Sequence, residues 1–352
     1  MFSDYAKNRK LEYTPGRRGD FVKFIQYIHD KVRTGEVKKL SSPLSAFWSL
    51  TAQCNLYCKH CYAADRAKNI QNDLSLSEAL YIVDILAENH VMDLVLQGGE
   101  PFCYSDTPEI IHAIKNQGMA VSILTNGTLL KGKNLECINT CLDALDMVQI
   151  SLDGPEKSND YIRGQGVFQR VFDNLKKITF PNIVVNCVVT NYNLNELPAL
   201  CEFLNNETNV SELHFSPLMK LGRGKNFDYP NYEKAMDIYL FMKQHSRIKI
   251  SGSVIPDILL TQNPDEYGID MSHIKLGCCA GRSKIFIDHL GYVHSCDYRL
   301  NEFSEEASLL VSDFRNIWEN SWKCQVESSF NISKRMAKTK KVERFCPSLY
   351  DE

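Results

Sequence analysis

Cys54-Asn55-Leu56-Tyr57-Cys58-Lys59-His60-Cys61 places three cysteines within eight residues, spaced C-x3-C-x2-C. Spacings this short let several thiolates converge on one soft metal centre. Three cysteines are one ligand short of a closed four-cysteine iron–sulfur or zinc site. Either a fourth ligand comes from elsewhere in the chain, or one position stays open for chemistry. On spacing alone a structural zinc knuckle or a chance cluster reads equally well, so the surrounding sequence has to choose.

Outward from that stretch runs an alternation of strand and helix signals. A strand over 46–51 leads into the cysteines. Ser75-Leu76-Ser77-Glu78 is a capping box that opens a helix to about residue 89. The apolar strand Asp93–Gln97 ends in Gly98-Gly99-Glu100-Pro101, and Thr107-Pro108 opens a helix as N-cap and N1 proline. Strands over 120–124, 147–150, 183–190 and 212–215 alternate with helices over 133–142, 167–178, 195–204 and 232–245. Six strand–helix units in succession imply a parallel sheet with helices outside it. Polar residues mark the strand ends: the cysteine loop, Gly98-Gly99-Glu100, Asn126, Ser151 with Asp153, and Ser216. Barrel enzymes build their sites at that face, which favours a partial (β/α)6 barrel over an open doubly wound sheet.

The chain has 352 residues, 44% of them hydrophobic and 24% charged, with net charge −3. That composition suits a large globular core and gives no general case for nucleic-acid binding. The N-terminus lacks the apolar run of a signal peptide, and no run reaches the length of a membrane span; a cytoplasmic location is expected. The 13 cysteines are an odd number spread through the chain, which is not a disulfide framework. Residues 1–45 are basic and hold one amphipathic helix over 21–32, expected to clasp the main domain. After residue 246 the rhythm stops. Strand signals over 283–287 and 292–295 flank Asp288-His289-Leu290-Gly291 as a hairpin. A helix is expected over 317–329, and basic residues 333–344 read as a solvated loop. The expected division is an extension (1–45), a barrel (46–245) and a small α+β domain (246–352).

Together, C-x3-C-x2-C at the first strand end and Gly98-Gly99-Glu100 at the second resemble the radical S-adenosylmethionine superfamily, over roughly residues 45–350. The resemblance implies a 4Fe–4S cluster on Cys54, Cys58 and Cys61, with the fourth iron left for S-adenosylmethionine. It places His60 near the adenine and Gly98, Gly99 and Glu100 at the methionine amino group. Ser151 and Asp153 resemble the ribose and carboxylate contacts, and Arg163 stands where relatives salt-bridge the carboxylate. Asn126 and Val188 are weaker carry-overs; for Asn126 a turn role is equally open. An external low-potential electron donor, flavodoxin or ferredoxin, is implied as a partner.

Cys279 and Gly291-x4-Cys296 resemble the first half of the SPASM pattern, and the later C-x2-C-x5-C run is absent. The truncated form, a twitch domain, would hold one auxiliary 4Fe–4S cluster on Cys279, Cys296 and Cys346, with Cys278, Cys324 or no residue as fourth ligand. Cys324 reads better as core. So do Cys137, Cys141, Cys187 and Cys201, while Cys103 reads as structural. Ser295-Cys296-Asp297-Tyr298 resembles a sulfatase-maturase segment in which the aspartate is a general base. Alternatively Cys278 would donate a hydrogen atom in an epimerisation. Pro217-Leu218-x3-Gly222-Arg223-Gly224 resembles peptide maturases. The expected function is hydrogen abstraction from a peptide or protein side chain. The alternatives are a dehydrogenase or epimerase of an aminoglycoside, sugar or nucleoside, and more remotely a non-catalytic iron–sulfur protein.

Overall fold

Nine strands form one sheet in the order β7-β6-β5-β4-β3-β2-β1-β8-β9. The computed structural model describes residues 18–65, 73–252, 277–297 and 307–339. The strands are β1 (Ser45–Ser49), β2 (Asp93–Gln97), β3 (Ala120–Thr125), β4 (Met147–Ser151), β5 (Ile183–Val189), β6 (Glu212–Pro217), β7 (Lys249–Gly252), β8 (Lys284–Ile287) and β9 (Val293–His294). Every pairing from β7 to β8 is parallel, and β9 closes an antiparallel hairpin on β8. The helices are α1 (Arg18–Arg33), α2 (Leu76–Glu88), α3 (Thr107–Asn116), α4 (Lys133–Cys141), α5 (Glu156–Arg163), α6 (Val167–Leu175), α7 (Leu197–Glu207), α8 (Tyr232–His245), α9 (Phe314–Asn320) and α10 (Lys323–Thr339). The architecture is an α/β partial barrel.

Side-chain alternation along the strands separates two environments. Ala46, Trp48, Leu94, Leu96, Val121, Ile123, Val148, Ile150, Leu213 and Phe215 join one core cluster with α2 Ile82, α3 Ile110 and α7 Leu200. Their neighbours one residue along must face the other way. They include Ser49, Gln97, Ser122, Gln149, Ser151, His214 and Ser216, with the apolar Phe47, Val95 and Leu124 among them; Asn186, between the core residues Val185 and Cys187 of β5, takes the same face. A closed (β/α) barrel fills its interior with branched apolar side chains; here polar residues of the inner face gather at the strand C-terminal ends, at Ser49, Gln97, Ser151 and Ser216.

At the other end of the strands lies α1. Its Phe21 and Ile25 pack with Leu44, just before β1, and Ala120, at the start of β3. His29 of α1 bonds Ser283 Oγ (2.7 Å) and Ser45 Oγ (3.2 Å). The helix therefore clasps the barrel on the side away from the strand C-termini.

Several local readings need correction. Thr107 is the first helical residue of α3, and Asp106 is the cap, without a side-chain cap bond. Its hydroxyl instead donates to the carbonyls of Pro101 (2.6 Å) and Tyr104 (2.9 Å). Helix α5 has no apolar stripe to announce it: it buries Ser158, Asn159, Asp160 and Arg163, with Ile162 the one apolar residue among them. The parallel sheet runs on past residue 246 into β7. The helix expected over 317–329 is two, broken at Trp322, whose φ is +59°. The stretch 333–339 is helical, not a loop. Cys324 begins α10 and is exposed, so the core reading fails for it. Cys346 lies outside the described residues. Among the described residues no helix is long and apolar enough to cross a membrane.

Candidate active site

The loop that follows β1 carries Cys54, Cys58 and Cys61, and surrounding strand ends hold it by its backbone. From β2, Gly99 N–H donates to Thr51 O and Glu100 N–H to Gln53 O, both at 2.8 Å. From the end of β3, Asn126 Nδ2 donates to Asn55 Oδ1 (2.9 Å), while Asn55 Nδ2 donates to Thr128 Oγ1 (2.8 Å). From α5, Ile162 O accepts from Lys59 N–H (2.9 Å). After β6, Arg223 donates through Nε to Cys58 O (2.8 Å) and through its backbone N–H to Cys61 O (3.0 Å). The guanidinium also covers the Tyr57 ring at 3.7 Å. A Cβ at Gly222 would stand 2.6 Å from Cys61 O, so only glycine lets the 217–224 segment close on the loop.

The glycine pair after β2 is required by packing. A Cβ on Gly98 would collide with Thr51 O, and one on Gly99 with Gln53 O. The close approach that demands glycine is thus by the cysteine loop's own backbone. Glu100 is 1% exposed. Its carboxylate accepts from Asn126 N–H (2.7 Å), Thr125 Oγ1 (2.6 Å) and Phe102 N–H (3.3 Å). A carboxylate offers about four lone-pair sites, so one is left for a further donor. Burial pushes the carboxyl up to about 7, against the pull of those donors. Asn126 has a turn role as well as its bond to the loop, since its Oδ1 accepts from Thr128 N–H (2.9 Å).

Asp153, beyond the end of β4, is fully buried and gathers three groups. His60 Nε2 donates to Oδ2 (2.7 Å), Arg163 Nε stands 2.7 Å from the same oxygen, and Val188 N–H donates to Oδ1 (2.9 Å). Burial alone would raise this carboxyl; the Arg163 and His60 charges win and hold it below the usual carboxylate range. Arg163 Nη1 also reaches 4.0 Å from Cys58 Sγ. Burial pushes the Cys58 thiol up, and the Arg163 charge opposes it. Arg163 therefore ties the loop to β4 through Asp153. Ser151 ends β4 on the inner face, half-buried.

A test of fit comes from β2. Gln97 Nε2 is buried with no hydrogen-bond partner among the described residues, on the inner face beside Gly98. An orphaned buried donor is costly, and an acceptor on a bound molecule would satisfy it. Three thiols on a fixed loop, a buried guanidinium beside one of them and this donor suit an iron–sulfur cluster with an amino-acid-like ligand. Cys54, Cys58 and Cys61 do not form the kind of group, within 4.8 Å, that a single ion needs; a polynuclear cluster is held by cysteines spread around it.

The C-terminal cysteines lie elsewhere. Cys279 is buried, its thiol donating to His29 O (3.4 Å); Cys278 is half-buried, its Sγ accepting from Ala280 N–H (3.4 Å). The two cysteine segments meet: a Cβ on Gly281 would stand 3.2 Å from Ser295 Cβ, next to Cys296. Asp297 accepts from Tyr62 Oη (3.3 Å), and Cys296 Sγ is 3.6 Å from its other oxygen. Tyr62 follows Cys61 directly, so this contact links the two cysteine regions. The sequence reading missed Tyr62, Asn55, Thr128 and Gln97; only adjacency to Cys61 and Gly98 marked any of them.

The radical SAM superfamily model matches residues 48–204. An AdoMet-dependent heme synthase of Methanosarcina barkeri is 29% identical over 297 residues, covering 80% of this chain and 83% of that enzyme. The mycofactocin maturase MftC of Mycobacterium tuberculosis is 28% identical over 293 residues, covering 80% and 72%. Among solved structures, Streptococcus suis SuiB bound to its precursor peptide SuiA superposes with a TM-score of 0.66 at 18% identity, over 84% of this chain and 68% of SuiB.

Proposed function

The chain is a radical SAM enzyme that uses S-adenosylmethionine and a 4Fe–4S cluster, and on that premise we propose that it modifies a peptide or protein side chain. A cluster held by Cys54, Cys58 and Cys61 would supply the electron for reductive cleavage of S-adenosylmethionine, and so for hydrogen abstraction from substrate. Glu100, through its remaining lone pair, and the backbone of Gly98 and Gly99 receive the methionine amino group. His60, Asn126, Ser151, Asp153, Arg163 and Val188 border the cofactor. Of these, His60 and Asp153 also hold each other through Nε2 and Oδ2, and Arg163 stands against the same carboxylate.

The observation that carries the peptide reading is the 217–224 segment. It resembles peptide maturases in sequence, and in the fold it is the element that grips Cys58 O and Cys61 O. MftC, a maturase, and SuiB, whose structure holds a precursor peptide, are similar proteins that support it. The C-terminal part is read as a twitch-like domain with one auxiliary cluster on Cys279, Cys296 and Cys346, with Cys278, Cys324 or no residue as fourth ligand. Asp297 takes a proton at Oδ2, where Tyr62 already donates. A flavodoxin or ferredoxin supplies electrons.

The test is anaerobic reconstitution with S-adenosylmethionine and dithionite, offering in parallel a pool of synthetic peptides, a tetrapyrrole, and an aminoglycoside. The expected result is 5′-deoxyadenosine in all arms, from uncoupled turnover, but a mass change in the peptide arm alone. A changed tetrapyrrole or sugar with unchanged peptides sinks the peptide reading. In the peptide arm, solvent deuterium entering product that is lost in Cys278→Ala would replace oxidation with epimerisation.

A further inference from the structure

On the outer helix layer, behind β3 and away from the inner face, α3 and α4 bring together one imidazole and two thiols. Cys137 and Cys141 are one turn apart on α4 and so share a face. His112 approaches from α3, with Nε2 3.1 Å from Cys141 Sγ. One nitrogen of His112 and the two sulfurs all lie within 4.8 Å of one another, the one such Cys/His/Asp/Glu group among the described residues. We propose that His112, Cys137 and Cys141 form a zinc site.

The chemistry and the packing agree on the ion. Two thiolates and an imidazole are a borderline-soft donor set suited to Zn2+. With Zn–S near 2.3 Å and Zn–N near 2.0–2.1 Å, tetrahedral neighbours stand about 3.3–3.8 Å apart, so only small side-chain rotations separate the observed group from that geometry. Cys137 is buried, Cys141 half-buried and His112 exposed. The ion would sit at the rim of the helix layer with its fourth position toward solvent. Glu109, one turn before His112, is paired with Lys133 Nζ at 3.3 Å, and the fourth position is open to water. Core packing accounts for Cys137 and not for an exposed histidine directed at the Cys141 sulfur. Binding converts two thiols to thiolates and releases two protons for each ion taken up; no redox partner is needed. The ion would staple α3 to α4 beneath the strand whose far end carries Asn126.

The test uses the full chain with its iron–sulfur clusters already assembled, so that the cluster cysteines are engaged. The protein is dialysed against buffered Zn2+, and zinc per chain, the zinc K-edge spectrum and the melting temperature are read. One zinc per chain, with two sulfur neighbours and at least one nitrogen, is expected, together with a higher melting temperature in zinc. Zinc content should fall to background in Cys137→Ser/Cys141→Ser, and affinity by at least about tenfold in His112→Ala, the least that losing an outer partner of a ligand costs. Unchanged zinc content in the double variant, unchanged zinc affinity in His112→Ala, or a four-sulfur spectrum overturns the proposal. Should the double variant fail to fold, His112→Ala decides alone, because an exposed side chain is removed without touching the core.

Discussion

The loop carrying Cys54, Cys58 and Cys61 is fixed by hydrogen bonds from four strand ends, whereas the segment carrying Cys278 and Cys279 is organised by one buried guanidinium. Arg282 is fully buried. It donates to the carbonyls of Val32 (2.6 Å), Lys38 (2.7 Å), Cys278 (2.8 Å) and Val37 (3.1 Å), and to Ser333 Oγ (3.1 Å). It thereby joins α1, the 32–38 turn, the Cys278 segment and α10. The first arrangement spreads its stability over many neutral contacts and a compensated ion pair, Asp153 with Arg163. The second concentrates it in a single cation bonded to four carbonyls and a hydroxyl and facing the Phe330 ring at 5.5 Å. In the first, any one neutral contact can be lost at small cost, but not one partner of its buried ion pair; in the second, every contact is lost with the one side chain.

The sharpest break between the two regions is chemical. Cys58→Ala should lower 5′-deoxyadenosine formation to background, measured chromatographically after reconstitution. Cys296→Ala should keep that formation and lose only product. If Cys296→Ala also abolishes S-adenosylmethionine cleavage, the two cysteine regions do not have separate roles.

Next in size is the contrast between the two buried charges. Asp153→Asn leaves Arg163 buried without its counter-charge and should cost about 3–5 kcal/mol in urea unfolding. Arg282→Met strands carbonyls but also removes a charge that is itself costly to bury, and should cost about 1–3 kcal/mol. A larger loss from Arg282→Met would show that the hub is the stronger of the two devices.

The regions should also differ in the sign of their pH dependence, measured on the cluster-free protein. Burial raises the Glu100 carboxyl from 4.5 to about 7. The native state then holds the proton more tightly than the unfolded chain. That contribution is complete below the unfolded value and is lost as pH rises through about 7, by at most about 3 kcal/mol. His29, beside Cys279, moves the other way: burial first, then the Lys284 and Arg33 charges, lower it from 6.5 to about 4. Its contribution is complete above 6.5 and is lost as pH falls toward 4. Glu100→Gln should flatten the neutral limb of the stability profile and leave the acid limb, while His29→Gln should do the reverse.

The smallest expected effect is Asn55→Ala, which removes two neutral side-chain bonds from a loop held by many others. A cost of about 0.5–1.5 kcal/mol with S-adenosylmethionine cleavage retained fits redundant anchoring; loss of the cluster in this variant would contradict it.

Residue types and spacing alone determined the strand–helix rhythm, the three cysteines, the glycines before Glu100 and the β8–β9 hairpin. Each of these is local. Apolar periodicity reports which face of a strand or helix is buried, and cysteines a few residues apart share a loop in any fold. Where local polarity misled, a tertiary environment had overridden it. Helix α5 buries polar residues against Asp153, and Cys141 is only half-buried where apolar neighbours suggested core. The tertiary structure alone decided what holds the cysteine loop. Arg223 lies 165 residues from Cys58, His60 lies 93 from Asp153, and Tyr62 lies 235 from Asp297. Such pairs depend on strand order and register, which place distant strand ends side by side and which no local pattern encodes. The same holds for His112 and Cys141, which only the packing of α3 on α4 brings within reach.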